Sequence, residues 1–130
     1  MAEKILIVDD DPAALRLVSY TLESAGYQVD SAVNGVEGLH KAQQETPDLV
    51  VLDVMLPGID GFEVCHRLRS NSAAGQGRLL ILMLTAKSQE ADRAMGEKLG
   101  ADLYLTKPAT PEEITEAVQG LLAQRGGRDA

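Results

Sequence analysis

The sequence predicts an α/β fold: a parallel five-stranded sheet, doubly wound by five helices as (βα)5. Three observations predict it. Five short apolar runs alternate with five segments of helical spacing. Two of those runs, Leu49–Leu52 and Leu79–Leu84, are apolar without alternation, as in strands covered on both faces. No repeat or low-complexity segment interrupts the order. A chain of 130 residues suffices for one domain with a proper core, expected over residues 1–124, with residues 125–130 a flexible C-terminal tail.

The first strand is Lys4–Val8, KILIV, followed at once by acids. Asp11-Pro12 starts a helix, with Asp as cap and Pro at the first helical position. Leu15, Val18 and Leu22 form its inner face and Gly26 ends it. Tyr27–Ala32, YQVDSA, alternates like a strand near a sheet edge. Asn34 caps the second helix, with Val36, Leu39 and Ala42 inward, and Thr46-Pro47 breaks it before the strand Leu49–Leu52. Gly61 begins the third helix, with Phe62, Cys65 and Leu68 inward. The small polar stretch Ser70–Gly77 is a loop, and Leu79–Leu84 is the fourth strand. Ser88 caps a fourth helix reaching about Lys98, whose apolar stripe is only Ala91, Ala94 and Met95. With Gly96 inside it, this is the least firmly packed helix. Asp102–Thr106 is the fifth strand. Thr110-Pro111-Glu112-Glu113 has capping-box spacing, and Ile114, Ala117, Val118, Leu121 and Leu122 line the last helix.

Composition narrows the function. A net charge of −8 repels phosphate backbones and anionic lipid, which argues against direct nucleic-acid or membrane-surface binding. Cys65 is the single cysteine, so no internal disulfide forms, and no basic, apolar leader opens the chain. Leu79–Leu84 is too short to span a bilayer. A reducing cytoplasm is the expected location.

In parallel sheets ligands sit beyond the carboxyl ends of the strands. There the first strand delivers Asp9 and Asp10, the third Asp53, the fourth Thr85 with Ala86 and Lys87 behind it, and the fifth Tyr104 and Thr106-Lys107-Pro108. Two carboxylates ~5 Å apart repel by about 3 kcal/mol at an effective dielectric near 20. Lys107 offsets one charge, leaving an excess of about two for Asp9, Asp10 and Asp53. A divalent ion cancels that, and all-oxygen ligands favour Mg²⁺. His40 and His66 lie on helices and read as surface imidazoles, Cys65 as a core residue, Asp11 as a helix cap and Asp60 as a turn residue.

The stretches ILIVDDDP, DLVVLDVMLPGIDGFEV, ILMLTA and GADLYLTKP, in this order, resemble the response regulator receiver domain of two-component signalling over roughly residues 3–124. That resemblance implies a flavodoxin-like strand order, 2-1-3-4-5. It implies that Asp53 is the phosphoacceptor and that Mg²⁺ is held by Asp9, Asp10, Asp53 and the backbone carbonyl of Met55. Lys107 then pairs with Asp53 and later with the phosphoryl group, and Lys107-Pro108 is a cis bond. The Thr85 hydroxyl and the Ala86 N–H bind phosphoryl oxygens. Thr85 and Tyr104 act as a switch that alters the surface of helix 4, strand 5 and helix 5. The donor is a sensor histidine kinase or a histidine phosphotransfer protein. The domain accepts a phosphoryl group without enzymatic turnover, beyond catalysing its own phosphorylation and dephosphorylation.

Receivers that dimerise ahead of a DNA-binding domain usually carry two acids before the switch tyrosine and basic residues on the last helix. Here the stretch is Asp102-Leu103-Tyr104, with no Lys or Arg between Lys107 and Arg125, so a monomer or weak homodimer is expected. Three rivals stand beside this reading. An aspartyl-phosphate phosphatase would need an acid two residues after Asp53, where Met55 stands. A flavin or nucleotide module would need a Gly- or Ser/Thr-rich phosphate loop after the first strand, where Asp9-Asp10-Asp11-Pro12 stands. A phosphorylation-independent interaction receiver would need none of the site residues, all of which are present.

Overall fold

The computed structural model describes residues 2–70 and 79–129, the last four as backbone. Its elements run β1 (Lys4–Val8), α1 (Pro12–Ser24), β2 (Gln28–Ala32), α2 (Gly35–Glu45), β3 (Leu49–Leu52), α3 (Gly61–Ser70), β4 (Leu80–Thr85), α4 (Glu90–Lys98), β5 (Leu103–Thr106) and α5 (Pro111–Asp129). The sheet is parallel throughout, in the order β2-β1-β3-β4-β5. The chain therefore reverses its direction of travel across the sheet between β1 and β3, the place where such folds bind ligands.

Alternate residues of each inner strand feed two cores. Leu6, Val8, Val50, Leu52, Ile81 and Met83 pack beneath α2 and α3. Ile5, Ile7, Leu49, Val51, Leu80, Leu82 and Leu84 pack against Val18 and Leu22 of α1 and Ile114, Val118, Leu121 and Leu122 of α5. β3 and β4 are buried at every position, which is why they read as unbroken apolar runs. Each fully buried Leu or Ile contributes about 1.5–3 kcal/mol relative to exposure.

Three caps lie where the sequence puts them. Asp11 accepts from the Ala13 N–H (3.1 Å) and Asn34 from the Glu37 N–H (2.8 Å). Thr110 and Glu113 exchange two backbone–side-chain bonds, closing the capping box of α5.

Several expectations are corrected. Val36 is 67% exposed, while Leu39 and Ala42 pack inward as expected and are joined by Gly35 and Gly38. A Cβ at Gly38 would stand 2.9 Å from Val8 Cγ2, so the helix lies too close to β1 for a side chain there. On α3, Val64 joins Cys65 and Leu68 in the core, while Phe62 is only partly buried. α4 is capped at Gln89 rather than Ser88, and Ala91, Ala94 and Met95 all face outward. Its buried position is Gly96. Ser70 ends α3, and residues 71–77 of the expected loop lie outside the described residues. α5 continues past Gln124 to Asp129, and Arg125 is tied to the Asp48 carboxylate at 3.0 Å. Among the described residues no helix is long and apolar enough to cross a membrane.

Among the described residues one non-glycine backbone position is strained. Thr46, the residue that ends α2, has φ +45° and ψ 62°, the left-handed region that costs a β-branched residue about 1–2 kcal/mol. Thr46→Asn should therefore stabilise the fold by about 1 kcal/mol, read as a higher urea midpoint with an unchanged slope. An unchanged or lower midpoint would contradict it.

Candidate functional site

The backbone ladder carries two acids one residue beyond their strands. The Asp9 N–H donates to the Ala32 carbonyl (3.1 Å) and the Asp53 N–H to the Val8 carbonyl (3.0 Å). Both side chains are buried, at 5% and 7% exposure. Asp10 follows on the open rim, and ligand atoms of Asp9, Asp10 and Asp53 lie within 4.8 Å of one another. At that spacing each pair repels by about 3 kcal/mol before solvent screening, and exposed Asp10 feels less.

Lys107 arrives from the far strand. Its backbone N–H donates to the Thr85 carbonyl (2.8 Å), and the Lys107-Pro108 bond is cis. Its ammonium donates to Asp9 Oδ2 at 2.7 Å and to Asp53 Oδ2 at 3.2 Å, so Asp9 is the nearer partner. The other oxygens are also held: Asp9 Oδ1 by the Asp11 N–H (2.9 Å), Asp53 Oδ1 by the Met55 N–H (3.0 Å). Burial alone would pull the Lys107 ammonium down. The hydrogen bond to Asp9 and the charges of Asp53 and Asp9 outweigh it, and its pKa rises above the ordinary value.

Thr85 closes β4 and is fully buried, with its hydroxyl accepting from the Lys87 N–H at 3.3 Å. Ala86 lies exposed at the rim, and the Met55 side chain is exposed as well. Tyr104, expected as a switch residue, points inward at 4% exposure and donates its hydroxyl to the Lys87 carbonyl (2.7 Å). Burial pushes its phenol up, with Asp92 adding to the effect and Arg93 opposing it.

Residues read as unconnected to the site stay apart from it. His40 and His66 are exposed on α2 and α3. Cys65 is buried, and burial pushes its thiol up to about 11, which makes it inert at neutral pH. Asp60 caps α3 through the Glu63 N–H (3.0 Å).

Two contributors escape sequence reasoning. A Cβ on Gly61 would stand 2.2 Å from the Asp53 carbonyl oxygen and 2.6 Å from Val54 Cα, so this glycine lets α3 abut the backbone that presents Asp53. Arg93 donates to the Tyr104 carbonyl at 2.9 Å and covers its ring. An Asp-Gly pair at a helix start signals a turn, and a helix-surface arginine signals solubility. Neither signal points across the fold.

The donor set fits a small hard cation. All three groups are carboxylates, they carry more charge than Lys107 offsets, and Asp10 leaves one side open to water. Among the described residues no other three acidic, His or Cys side chains come this close.

Comparison with known proteins agrees with the fold. The family model described as response regulator receiver domain matches residues 5–119. The alkaline phosphatase synthesis transcriptional regulatory protein PhoP of Bacillus subtilis is 50% identical over 124 residues, 94% of this chain and 49% of that protein. The DNA-binding dual master transcriptional regulator RpaA of Synechocystis is 50% identical over 119 residues, 92% of this chain and 48% of that protein. The chain thus spans about half the length of the curated relatives it matches. A CheY-like receiver domain protein of Methanospirillum hungatei superposes with a TM-score of 0.90 at 30% identity, covering 98% of this chain and 99% of that one.

Two outcomes follow from the geometry. Gly61→Ala should destabilise the fold by about 3 kcal/mol, because the clash is with backbone rather than with a movable side chain. A loss under about 0.5 kcal/mol in urea unfolding would show that α3 adjusts freely. Lys107→Met should cost about 2–4 kcal/mol at pH 7, since it strands two buried carboxylates. With a raised folded pKa, the Lys107 contribution is full below its unfolded value of about 10.4 and is lost as pH rises through the folded one. The difference between wild type and Lys107→Met should be flat from about pH 7 to 10 and shrink above; shrinkage already by about pH 9 would refute the raised value.

Proposed function

The chain belongs to the response regulator receiver domain family, the phosphoacceptors of two-component systems, and from that membership we propose that Asp53 is its acceptor. The observation that carries this is a buried carboxylate at the end of the central strand β3, with an ammonium 3.2 Å away and two further acids beside it. The donor in this reading is the phosphohistidine of a sensor histidine kinase or of a histidine phosphotransfer protein. An Asp53 carboxylate oxygen forms a bond to phosphorus while the phosphorus–nitrogen bond breaks. The electron pair and then a proton go to the departing imidazole. The product is an acyl phosphate.

The protein's own groups do the positioning. The Met55 N–H holds Asp53 Oδ1 and so orients the carboxylate. Lys107, fixed by its backbone bond to Thr85, offers its ammonium to the oxygen that gains charge. The Thr85 hydroxyl and the Ala86 N–H are the donors for the remaining phosphoryl oxygens. Asp9, Asp10 and Asp53, with the Met55 carbonyl, would hold Mg²⁺, which when bound supplies charge neutralisation at the transferring group. Loss of the phosphoryl group to water returns the carboxylate.

The phosphoryl group adds roughly one negative charge at this rim. Thr85 and Tyr104 carry that change to the surface of α4, β5 and α5. The chain itself makes no direct contact with nucleic acid or membrane, acts in the cytoplasm and is monomeric or weakly dimeric. Whatever it acts on downstream is engaged through that surface.

Incubation with acetyl phosphate and Mg²⁺, followed by intact mass, should show a gain of one phosphoryl group. Asp53→Asn and omission of Mg²⁺ should each abolish it. Modification that persists in Asp53→Asn, or no modification of the wild type, would overturn the assignment. Rapid turnover of p-nitrophenyl phosphate would instead support a phosphatase.

A further inference from the structure

Helix α4 buries none of its own apolar side chains. Met95 is 43% exposed, Ala91 and Ala94 face solvent, and its buried position is Gly96. The space beneath Gly96 is filled from another strand, by the ring of Tyr104. A Cβ on Gly96 would stand 2.9 Å from Tyr104 Cδ2, 3.2 Å from Cε2 and 2.9 Å from Met83 Sδ. Three residues earlier on the same helix face, the Arg93 guanidinium lies over the ring, 5.2 Å from its centroid, and donates to the Tyr104 carbonyl at 2.9 Å. The phenol then reaches the Lys87 carbonyl (2.7 Å), and the Lys87 N–H reaches the Thr85 hydroxyl (3.3 Å).

A glycine inside a helix weakens it, so its presence here needs a compensating contact, and the aromatic ring is that contact. Were the ring to leave, the underside of α4 would be a void between Gly96 and Met83, because no side chain of α4 points there to fill it. The exit of the helix is held separately. Arg69 donates from two guanidinium nitrogens to the Gly100 carbonyl (2.9 and 2.7 Å) and also binds the Asp102 carboxylate at 2.7 Å. Only the body of α4 therefore depends on Tyr104.

We propose that Gly96 and Arg93 are positioning residues that seat the Tyr104 ring under α4, so that the inward tyrosine and the docked helix form a single two-state element. Tyr104 acts as the missing core residue of α4. Its removal undocks the helix, and loss of its seat expels the ring. The link from this element to the phosphoryl group, through Lys87 and Thr85, rests on the phosphoacceptor reading; the seat itself does not.

The test is amide hydrogen exchange over residues 90–98, with the Tyr104 ring followed by NMR, first in unphosphorylated protein. Gly96→Ala should lower α4 protection about tenfold and move the ring signals to solvent-exposed positions, leaving β1 and β3 amides unchanged. Arg93→Ala should lower α4 protection about threefold. Arg93→Lys keeps the charge over the ring but loses the planar fork, and should restore only part. Should Gly96→Ala fail to fold, Arg93→Ala with its partial rescue by Arg93→Lys decides the matter. Unchanged α4 protection and ring signals in Arg93→Ala would overturn the proposal, as would loss of protection spread evenly over the sheet. A second arm adds beryllofluoride and Mg²⁺, a phosphoryl mimic. A rise in α4 protection in wild type that is absent in Arg93→Ala supports the coupling; an equal rise in both overturns it. Absence of any beryllofluoride binding to wild type would count against the phosphoacceptor reading and leave the seat to the first arm.

Discussion

Two buried carboxylates and one ammonium set the terms for the rest of this molecule. Asp9 and Asp53 are each about nineteen-twentieths removed from water, close to one another and to Asp10. Such a set is tolerable only if a cation is delivered to it, and Lys107 is delivered from the opposite side of the switch point in the sheet. The strand order makes this possible. β1 and β3 are neighbours and place the acids side by side. β4 and β5 follow in register and bring the Thr85 carbonyl against the Lys107 N–H. A sheet with another order would leave the same residues as isolated surface charges.

Two helices lie too close to their neighbours for a side chain at the contact. α2 approaches β1 through Gly38, and α3 approaches the residues after β3 through Gly61. At Gly61 the neighbour is the main chain of the proposed acceptor, so the start of α3 and the presentation of Asp53 are one packing problem. Close approach of this kind leaves little slack, as in protein interiors generally. It explains how a carboxylate at the mouth of a sheet is held by two oriented groups, the Met55 N–H and the Lys107 ammonium.

The helices differ in what they bring to the core. α1 and α5 bring their own leucines, valines and isoleucine to the core beneath them. α4 contributes a glycine and borrows an aromatic ring. A helix docked through a borrowed side chain is released by moving that side chain alone. The borrowed ring sits two hydrogen bonds, both through Lys87, from the hydroxyl at the end of β4.

Local patterns alone determined the order of the ten elements, the two fully buried strands, the caps at Asp11, Asn34 and Thr110, and the acids at the strand ends. Each of these depends on spacing within a few residues, so a single chain displays it. Tertiary structure decided what depends on distance between elements. It turned Val36 outward and Gly38 inward, and made Gly96 rather than Met95 the buried face of α4. It also placed Lys107 nearer to Asp9, 98 residues away, than to Asp53. A glycine carries no hydrophobic signal, and an inward tyrosine reads the same as an outward one. Only the separation of packed backbones tells which of them fills the gap.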